Sequence, residues 1–196
     1  MKILILGATG SLGSYVIEEL LKEEGAQLRL YARNPAKVEK FKNERAQIVR
    51  GDVLDEGALK DALDGVDAVY AGLAGELEAM AQTLVAAMDA KGVKRLVWIS
   101  SYGIYGEAGR GSMPPSGYVI SAAVVEGSGL DYMIIRPQWF SGADEIDYET
   151  TSWNKKERFK NPDAKISRRL IANLVARCVF ENFGIRDSIG INKPAR

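Results

Sequence analysis

The sequence predicts a doubly wound α/β domain: a mostly parallel sheet with helices on both faces. Three observations carry this expectation. The chain opens on the apolar run Ile3-Leu4-Ile5-Leu6, continues through Gly7-Ala8-Thr9-Gly10-Ser11-Leu12-Gly13, and then places Val16, Ile17, Leu20 and Leu21 at helical spacing. Short buried-type strands then alternate with amphipathic segments to the end of the chain, as a sheet wound by crossover helices requires. No linker, internal repeat or low-complexity stretch breaks this alternation over 196 residues, so one domain is expected.

Bulk composition narrows the function classes. Lysine plus arginine and aspartate plus glutamate both number 26, so no net field favours nucleic acid or an anionic membrane. The chain starts directly on a core-type strand and has neither signal-peptide order nor an apolar run of membrane-span length, which predicts a cytoplasmic protein. Cys178 is the only cysteine and shares a helical apolar stripe with Leu170, Ile171, Leu174 and Val175, so it reads as packing, not as a reactive thiol. The sequence contains no histidine. That removes Ser-His and Cys-His nucleophiles, histidine bases and histidine metal sites, and no metal is expected.

The first turn is the leading candidate site. Glycine permits positive φ and close backbone approach, and exposed N–H groups at a helix start attract an anion such as a diphosphate. A glycine-rich strand-to-helix turn alone is also an ordinary α/β connection. Here the strand before it and the amphipathic helix after it supply the context of a dinucleotide-binding turn, with Gly7, Thr9, Gly10, Ser11, Leu12 and Gly13 as its residues.

The later elements follow in order. Gln27 to Tyr31 form a second strand that ends in Ala32-Arg33-Asn34-Pro35. Arg33 stands where an NAD-type site places an acid on the ribose hydroxyls, and a guanidinium suits a 2′-phosphate instead, so NADP(H) is expected over NAD(H), with Lys37 as a nearby positive charge. Ala46 to Arg50 make a third strand followed by Gly51-Asp52-Val53-Leu54-Asp55, in which Asp55 reads as the cap of the helix carrying Ala58, Leu59, Ala62 and Leu63. Val66 to Tyr70 form a fourth strand, and the small residues Ala71 and Gly72 after it allow a cofactor to lie against the backbone. Leu77 to Met88 is an amphipathic helix stopped by Gly92; its apolar face meets either the sheet or a second subunit, so a monomer and a homodimer both remain open.

Arg95 to Ile99 are a fifth strand ending in Ser100-Ser101-Tyr102-Gly103-Ile104-Tyr105-Gly106, and a sixth ends in Ile134-Ile135-Arg136-Pro137. Trp139 and Phe140 beyond it either border a pocket or pack below it. From Asp144 to Lys160 the sequence turns charged and aromatic and predicts a hairpin with its turn near Asn154 and Lys155; its carboxylates read as a solvated face. Ser167 caps a last helix reaching about Phe180, and Ser188 to Ile191 close the sheet. Residues 137–166 are expected to form a small cap on the substrate side.

The GATG core with its three glycines, the GDVLD string, SSYGIYG and SGLDYMIIRP together resemble the atypical short-chain dehydrogenase/reductase superfamily, in particular its NmrA-like, NAD(P)H-binding members, over essentially the whole chain. The resemblance implies a Rossmann fold, adenine contacts from Asp52 and Val53, cofactor contacts at Ser100 and Pro137, and a substrate-carbonyl hydrogen bond from Ser101. It also implies a catalytic tyrosine with a lysine four residues later. Tyr118 is the local tyrosine, but Ala122 holds the lysine position, and sliding the register to put Tyr118 there leaves Pro114 as the tyrosine. A tyrosine without a neighbouring cation keeps a pKa near about 10 and is a poor acid at neutral pH. The expected function is an NADP(H)-dependent reductase of a small carbonyl or quinone-type acceptor, using Ser101 and Tyr118. The alternative is a non-catalytic NADP(H) sensor acting on a protein partner.

Overall fold

The computed structural model describes residues 1–108, 113–143 and 147–194. Asp144 and Glu145, the start of the charged run, lie outside the described residues. Ten strands and five α-helices follow in the order β1 (Lys2–Leu6), α1 (Gly13–Leu20), β2 (Gln27–Ala32), β3 (Ala46–Arg50), α2 (Glu56–Ala62), β4 (Ala68–Ala71), α3 (Leu77–Lys91), β5 (Arg95–Ile99), α4 (Ser116–Glu126), β6 (Asp131–Pro137), β7 (Phe140–Ser141), β8 (Glu149–Ser152), β9 (Ile166–Ser167), α5 (Arg168–Phe180) and β10 (Asp187–Asn192).

Eight strands form one sheet in the order β3-β2-β1-β4-β5-β6-β10-β8. Every pairing is parallel except that of β8 with β10, an antiparallel edge on an otherwise parallel sheet. Strands of the interior are buried along their length, as in Arg95–Ile99 and Ala68–Ala71, because helices cover both faces. One apolar layer joins the sheet to α1 and α5 through Val16, Ile17, Leu20, Leu174 and Cys178. The other joins it to α2, α3 and α4 through Leu59, Leu84, Met88, Ala122 and Val125. The apolar face of α3 therefore meets the sheet and its neighbouring helices.

Local signals behave as expected. Asp55 accepts a hydrogen bond from Ala58 N at 3.0 Å, and Ser167 accepts one from Leu170 N at 3.3 Å, satisfying orphan donors at the starts of α2 and α5. Gly92 ends α3 in the left-handed conformation, φ 69°. Over the described residues 147–160 the turn forms near Asn154 and Lys155 as expected, but the strand before it does not pair within a hairpin. Glu149–Ser152 instead joins the main sheet beside β10, with Gly190 opposite Thr151, and the chain then turns at Trp153–Lys156. A Cβ at Gly190 would lie 2.8 Å from Thr151 Oγ1 and 2.9 Å from the Phe159 ring, so a glycine is what lets that edge close. Phe140 and Ser141 pair in parallel with Ile166 and Ser167, a two-stranded element outside the main sheet.

Candidate functional site

The order 3-2-1-4 reverses the winding direction between β1 and β4, and the crevice beyond the carboxyl ends of strands at such a point is where open α/β sheets bind ligands. Gly7 ends β1 there with φ 84°. A Cβ on it would lie 2.0 Å from the Gly72 carbonyl oxygen, so the ends of β1 and β4 meet backbone to backbone. Gly13 is fixed in the same way, since its Cβ would stand 2.5 Å from Gly7 O and 2.8 Å from Ala8 O. Gly10 N donates to Gly7 O at 2.9 Å and Gly13 N to Gly10 O at 3.1 Å, which winds the turn directly into α1. No side chain caps α1 and its first turn contains no acid. Thr9, Gly10 and Ser11 are exposed above Leu12, which packs into the core. The result is a concave, uncharged backbone cradle at a helix start, chemically suited to a diphosphate.

Two strands away, Arg33 follows β2 and Asp52 follows β3, and their side chains approach to 4.0 Å. The guanidinium is 75% exposed and the carboxylate 40%, so this pair is weak and leaves Arg33 able to turn toward a stronger anion. The Asp52 backbone is held more firmly: Tyr31 Oη donates to Asp52 O at 3.1 Å, and Asp52 Oδ1 accepts from Leu54 N at 3.1 Å. Burial, with Asp55 and Asp52 adding to it, pushes the Tyr31 phenol up to about 12, so it remains a donor. Val53 is buried beneath this corner, Ala71 is buried at the end of β4, and Lys37 is exposed in a short turn.

On the other side of the switch point, Ser100 N donates to Ile135 O at 2.8 Å and Tyr102 N to Pro137 O at 3.1 Å. Ser100, Ser101 and Pro137 are thus brought together at adjoining strand ends. Ser101 is half-buried, with its hydroxyl donating to Tyr102 O at 3.2 Å. Tyr118 lies in the first turn of α4 and packs partly into the core. Its carbonyl accepts from Ser100 Oγ at 3.4 Å and Ser121 Oγ at 3.3 Å. The tie between the β5 end and α4 is therefore made by Ser100 and a backbone oxygen, while the Ser101 and Tyr118 hydroxyls are not joined by a hydrogen bond. Ala122, one turn later, is 1% exposed inside the layer shared with α3, so this register holds a small apolar residue in the core where a lysine would have to reach the cofactor.

Sequence reading singled out Trp139 and Phe140 together, and the structure separates them. Phe140 packs against the core, with the Arg168 guanidinium 4.8 Å over its ring. Trp139 is 78% exposed although its carbonyl accepts from Ile166 N at 3.0 Å, so a fixed backbone holds a bare indole two residues from Pro137.

Sequence reading missed a buried charge network beside the site. Arg136 is 2% exposed; its Nε donates to Ser188 Oγ at 3.0 Å, and NH1 pairs with Glu107 Oε1. The second Glu107 oxygen accepts from Tyr105 N at 2.9 Å. The Tyr105 ring stacks on Trp153 with centroids 4.3 Å apart and its hydroxyl donates to Glu126. Burial lowers the Arg136 pKa from its usual value, and Glu107 acts against that shift. The available signal was an arginine inside the apolar strand Met133-Ile134-Ile135-Arg136, because a charge buried in a two-faced sheet needs a partner.

No helix among the described residues is long and apolar enough to cross a membrane. Comparison with known proteins agrees with this geometry. A sequence model described as NAD(P)H-binding matches residues 7–182. A Rossmann-fold NAD(P)-binding family protein from Shigella flexneri is 40% identical, with a TM-score of 0.86, and the match covers 99% of this chain and 94% of that one. A short-chain dehydrogenase/reductase from Veillonella parvula, solved in complex with NADP, shares the fold at 24% identity, with a TM-score of 0.82 and coverage of 99% and 95%. Quinone oxidoreductase 2 of Escherichia coli is 31% identical over 147 residues, which are 71% of this chain and 49% of that protein. The chain thus spans about half the length of this curated relative. Fold, turn and matches together place the chain in the NAD(P)H-binding family of Rossmann-fold proteins.

Proposed function

We propose that this chain is an NADP(H)-dependent reductase of a quinone-type or small carbonyl acceptor, an NmrA-like member acting in the cytoplasm. The observation that carries the reading is the pairing of a glycine cradle at the switch point with a loosely held arginine, Arg33, at the neighbouring strand ends. The backbone from Gly7 to Gly13 would hold the diphosphate, while Asp52 and Val53 would flank the adenine and Arg33 would meet the 2′-phosphate. Ala71, Gly72, Ser100 and Pro137 would line the path to the nicotinamide. When bound, the reduced nicotinamide supplies the hydride.

The acceptor follows from what stands near Pro137. Ser101 would hydrogen-bond a substrate carbonyl, Tyr118 would border the same pocket, and the exposed Trp139 ring would offer a flat apolar face. Residues 137–166 would form the cap over it. Ala122, in the core, supplies no cation to Tyr118 from the expected lysine position, which suits an acceptor whose reduced oxygen takes its proton from water. The name of the E. coli relative, a quinone oxidoreductase, points to the same chemistry.

The buried Ala122 equally favours a second reading, an NADP(H) sensor that signals to a protein partner without turnover. One experiment separates the two. Titration with NADPH and NADH, followed by cofactor oxidation against a panel of quinones and carbonyls, should show NADPH preference and turnover with quinones. Tight binding without turnover of any acceptor selects the sensor, and equal affinity for the two cofactors removes the role of Arg33.

A further inference from the structure

Two residues before Gly72, whose carbonyl meets Gly7 of the glycine cradle, stands a buried hydroxyl. Tyr70 sits in β4 and is fully buried, and its Oη has no hydrogen-bond partner among the described residues. A hydroxyl sealed from water without a partner is destabilising, and a phenylalanine would fill the same volume without that penalty. The phenol points along the strand toward the cradle. A Cβ on Gly72, two residues on, would lie 2.2 Å from Tyr70 Oη and 2.8 Å from its Cζ, so the bare Gly72 Cα is the space the hydroxyl occupies. The carbonyl of that same Gly72 is what Gly7 packs against. Tyr70 also shares its apolar layer with Leu12 and Val16 of the turn and α1, which places the hydroxyl on the side of the sheet where α1 begins. Burial raises the phenol's pKa, so the group remains a proton donor.

We infer that the Tyr70 hydroxyl is a cofactor-positioning donor, which completes its hydrogen bonding through one ordered water under the diphosphate when the dinucleotide seats on the turn from Gly7 to Gly13. The inference rests on the dinucleotide reading above and adds a residue on β4 to it. A water bridging two polar groups is nearly as favourable as a direct hydrogen bond, and here it would satisfy a donor that has nothing else to bond.

Tyr70→Phe tests this through two readouts besides activity. Without ligand, the variant should melt at the same temperature as the wild type or higher, since only an unpaired hydroxyl has gone. By calorimetric titration it should bind NADPH about three- to tenfold more weakly, while adenosine 2′-phosphate, which has no diphosphate, should bind both proteins equally. A lower melting temperature without ligand would show that the hydroxyl already has a partner, and unchanged NADPH affinity would show that it never meets the diphosphate; either overturns the inference. Failure of the wild type to bind any nicotinamide dinucleotide would instead bring down the underlying reading, and this proposal with it.

Discussion

Arg136 and Glu107 form an ion pair in which each side chain is 2% exposed, linking the end of β6 to the loop that follows Ser101. The Glu107 carboxylate also accepts from Tyr105 N, and Arg136 is held from behind by Ser188 on β10. Two strands, β6 and β10, and the loop after β5 are thereby tied through one buried guanidinium. Removing one partner of a buried pair leaves an uncompensated charge, at a cost of about 3–5 kcal/mol. Glu107→Gln keeps the shape and some hydrogen bonding, so the expected loss is smaller, about 2 kcal/mol by urea denaturation, against about 3 kcal/mol or more for Glu107→Ala. Equal stability of all three proteins would show that the pair does not hold the loop.

The glycine turn makes a sharper prediction. A Cβ at Gly13 would press within 2.5 Å of a backbone oxygen, whereas one at Gly25 meets nothing within 4 Å. Gly13→Ala must shift the start of α1 away from the end of β1, and overpacking of this kind costs about 1–3 kcal/mol. NADPH affinity should fall at least tenfold, while Gly25→Ala should bind like the wild type. Calorimetric titration of the two variants side by side checks this, and equal affinities would remove the turn from the binding site.

These contrasts explain what the sequence could and could not reveal. The turn from Gly7 to Gly13, the caps at Asp55 and Ser167 and the stop at Gly92 are local, each written within a few residues of its effect. The role of Glu107 is not local, because its partner lies 29 residues further on and nothing around Glu107 marks it as buried. The edge strand β8 was equally hidden. Glu149-Thr150-Thr151-Ser152 lacks apolar alternation, and only its register against β10, some 40 residues away, makes it a strand. At the candidate site, the family resemblance implies Ser101, Tyr118 and Pro137, and packing distinguishes them. Pro137 is buried beside Tyr102, whereas Tyr118 sits over a core that includes Ala122.

Selectivity between the two cofactors should rest on Arg33. Its only ion-pair partner among the described residues is Asp52 at 4.0 Å, and that contact is largely exposed. A bidentate guanidinium–phosphate contact is charge-assisted and contributes about 1.5–3 kcal/mol. Arg33→Ala should therefore weaken NADPH binding roughly tenfold or more and leave NADH binding unchanged. If the variant retains the preference, Lys37, the next exposed cation along the chain, is the candidate to carry it, and the double variant Arg33→Ala/Lys37→Ala should then abolish it.

Stability should decline on the alkaline side. Burial raises the Cys178 thiol from 9.0 to about 12, and burial likewise raises the phenols of Tyr31, Tyr70 and Tyr105 from 10.0. Groups with a raised folded-state pKa contribute fully below their unfolded values, and the contribution is lost as the unfolded chain ionises and the folded one does not. Stability should thus hold up to about pH 8.5 and fall by about 2 kcal/mol or more by pH 10.5, first through the thiol and then through the phenols. Urea denaturation at the two pH values measures this, and Cys178→Ala should remove the earliest part of the slope. The same burial predicts that iodoacetamide modifies Cys178 in urea and not in buffer.

On the proposed reading, Trp139 and Ser101 hold the acceptor. Trp139 is exposed on a backbone fixed by Ile166, close to Pro137, so its removal disturbs no packing and its indole is available to a flat ligand. Stacking of this kind contributes about 0.5–1.5 kcal/mol beyond the area it covers. Trp139→Ala should leave the melting temperature and NADPH affinity unchanged and raise the KM for a quinone about three- to tenfold with little change in kcat, the signature of lost uniform binding. Ser101→Ala should instead lower kcat, because a hydrogen bond to the substrate oxygen strengthens as negative charge develops there. Tyr118→Phe distinguishes the two acceptor classes. If the reduced oxygen takes its proton from water, as a quinone permits, kcat should change less than threefold, whereas a simple carbonyl that needs a protein acid should lose activity by tenfold or more. Steady-state kinetics of the three variants with one quinone and one aldehyde would distinguish the two acceptor classes.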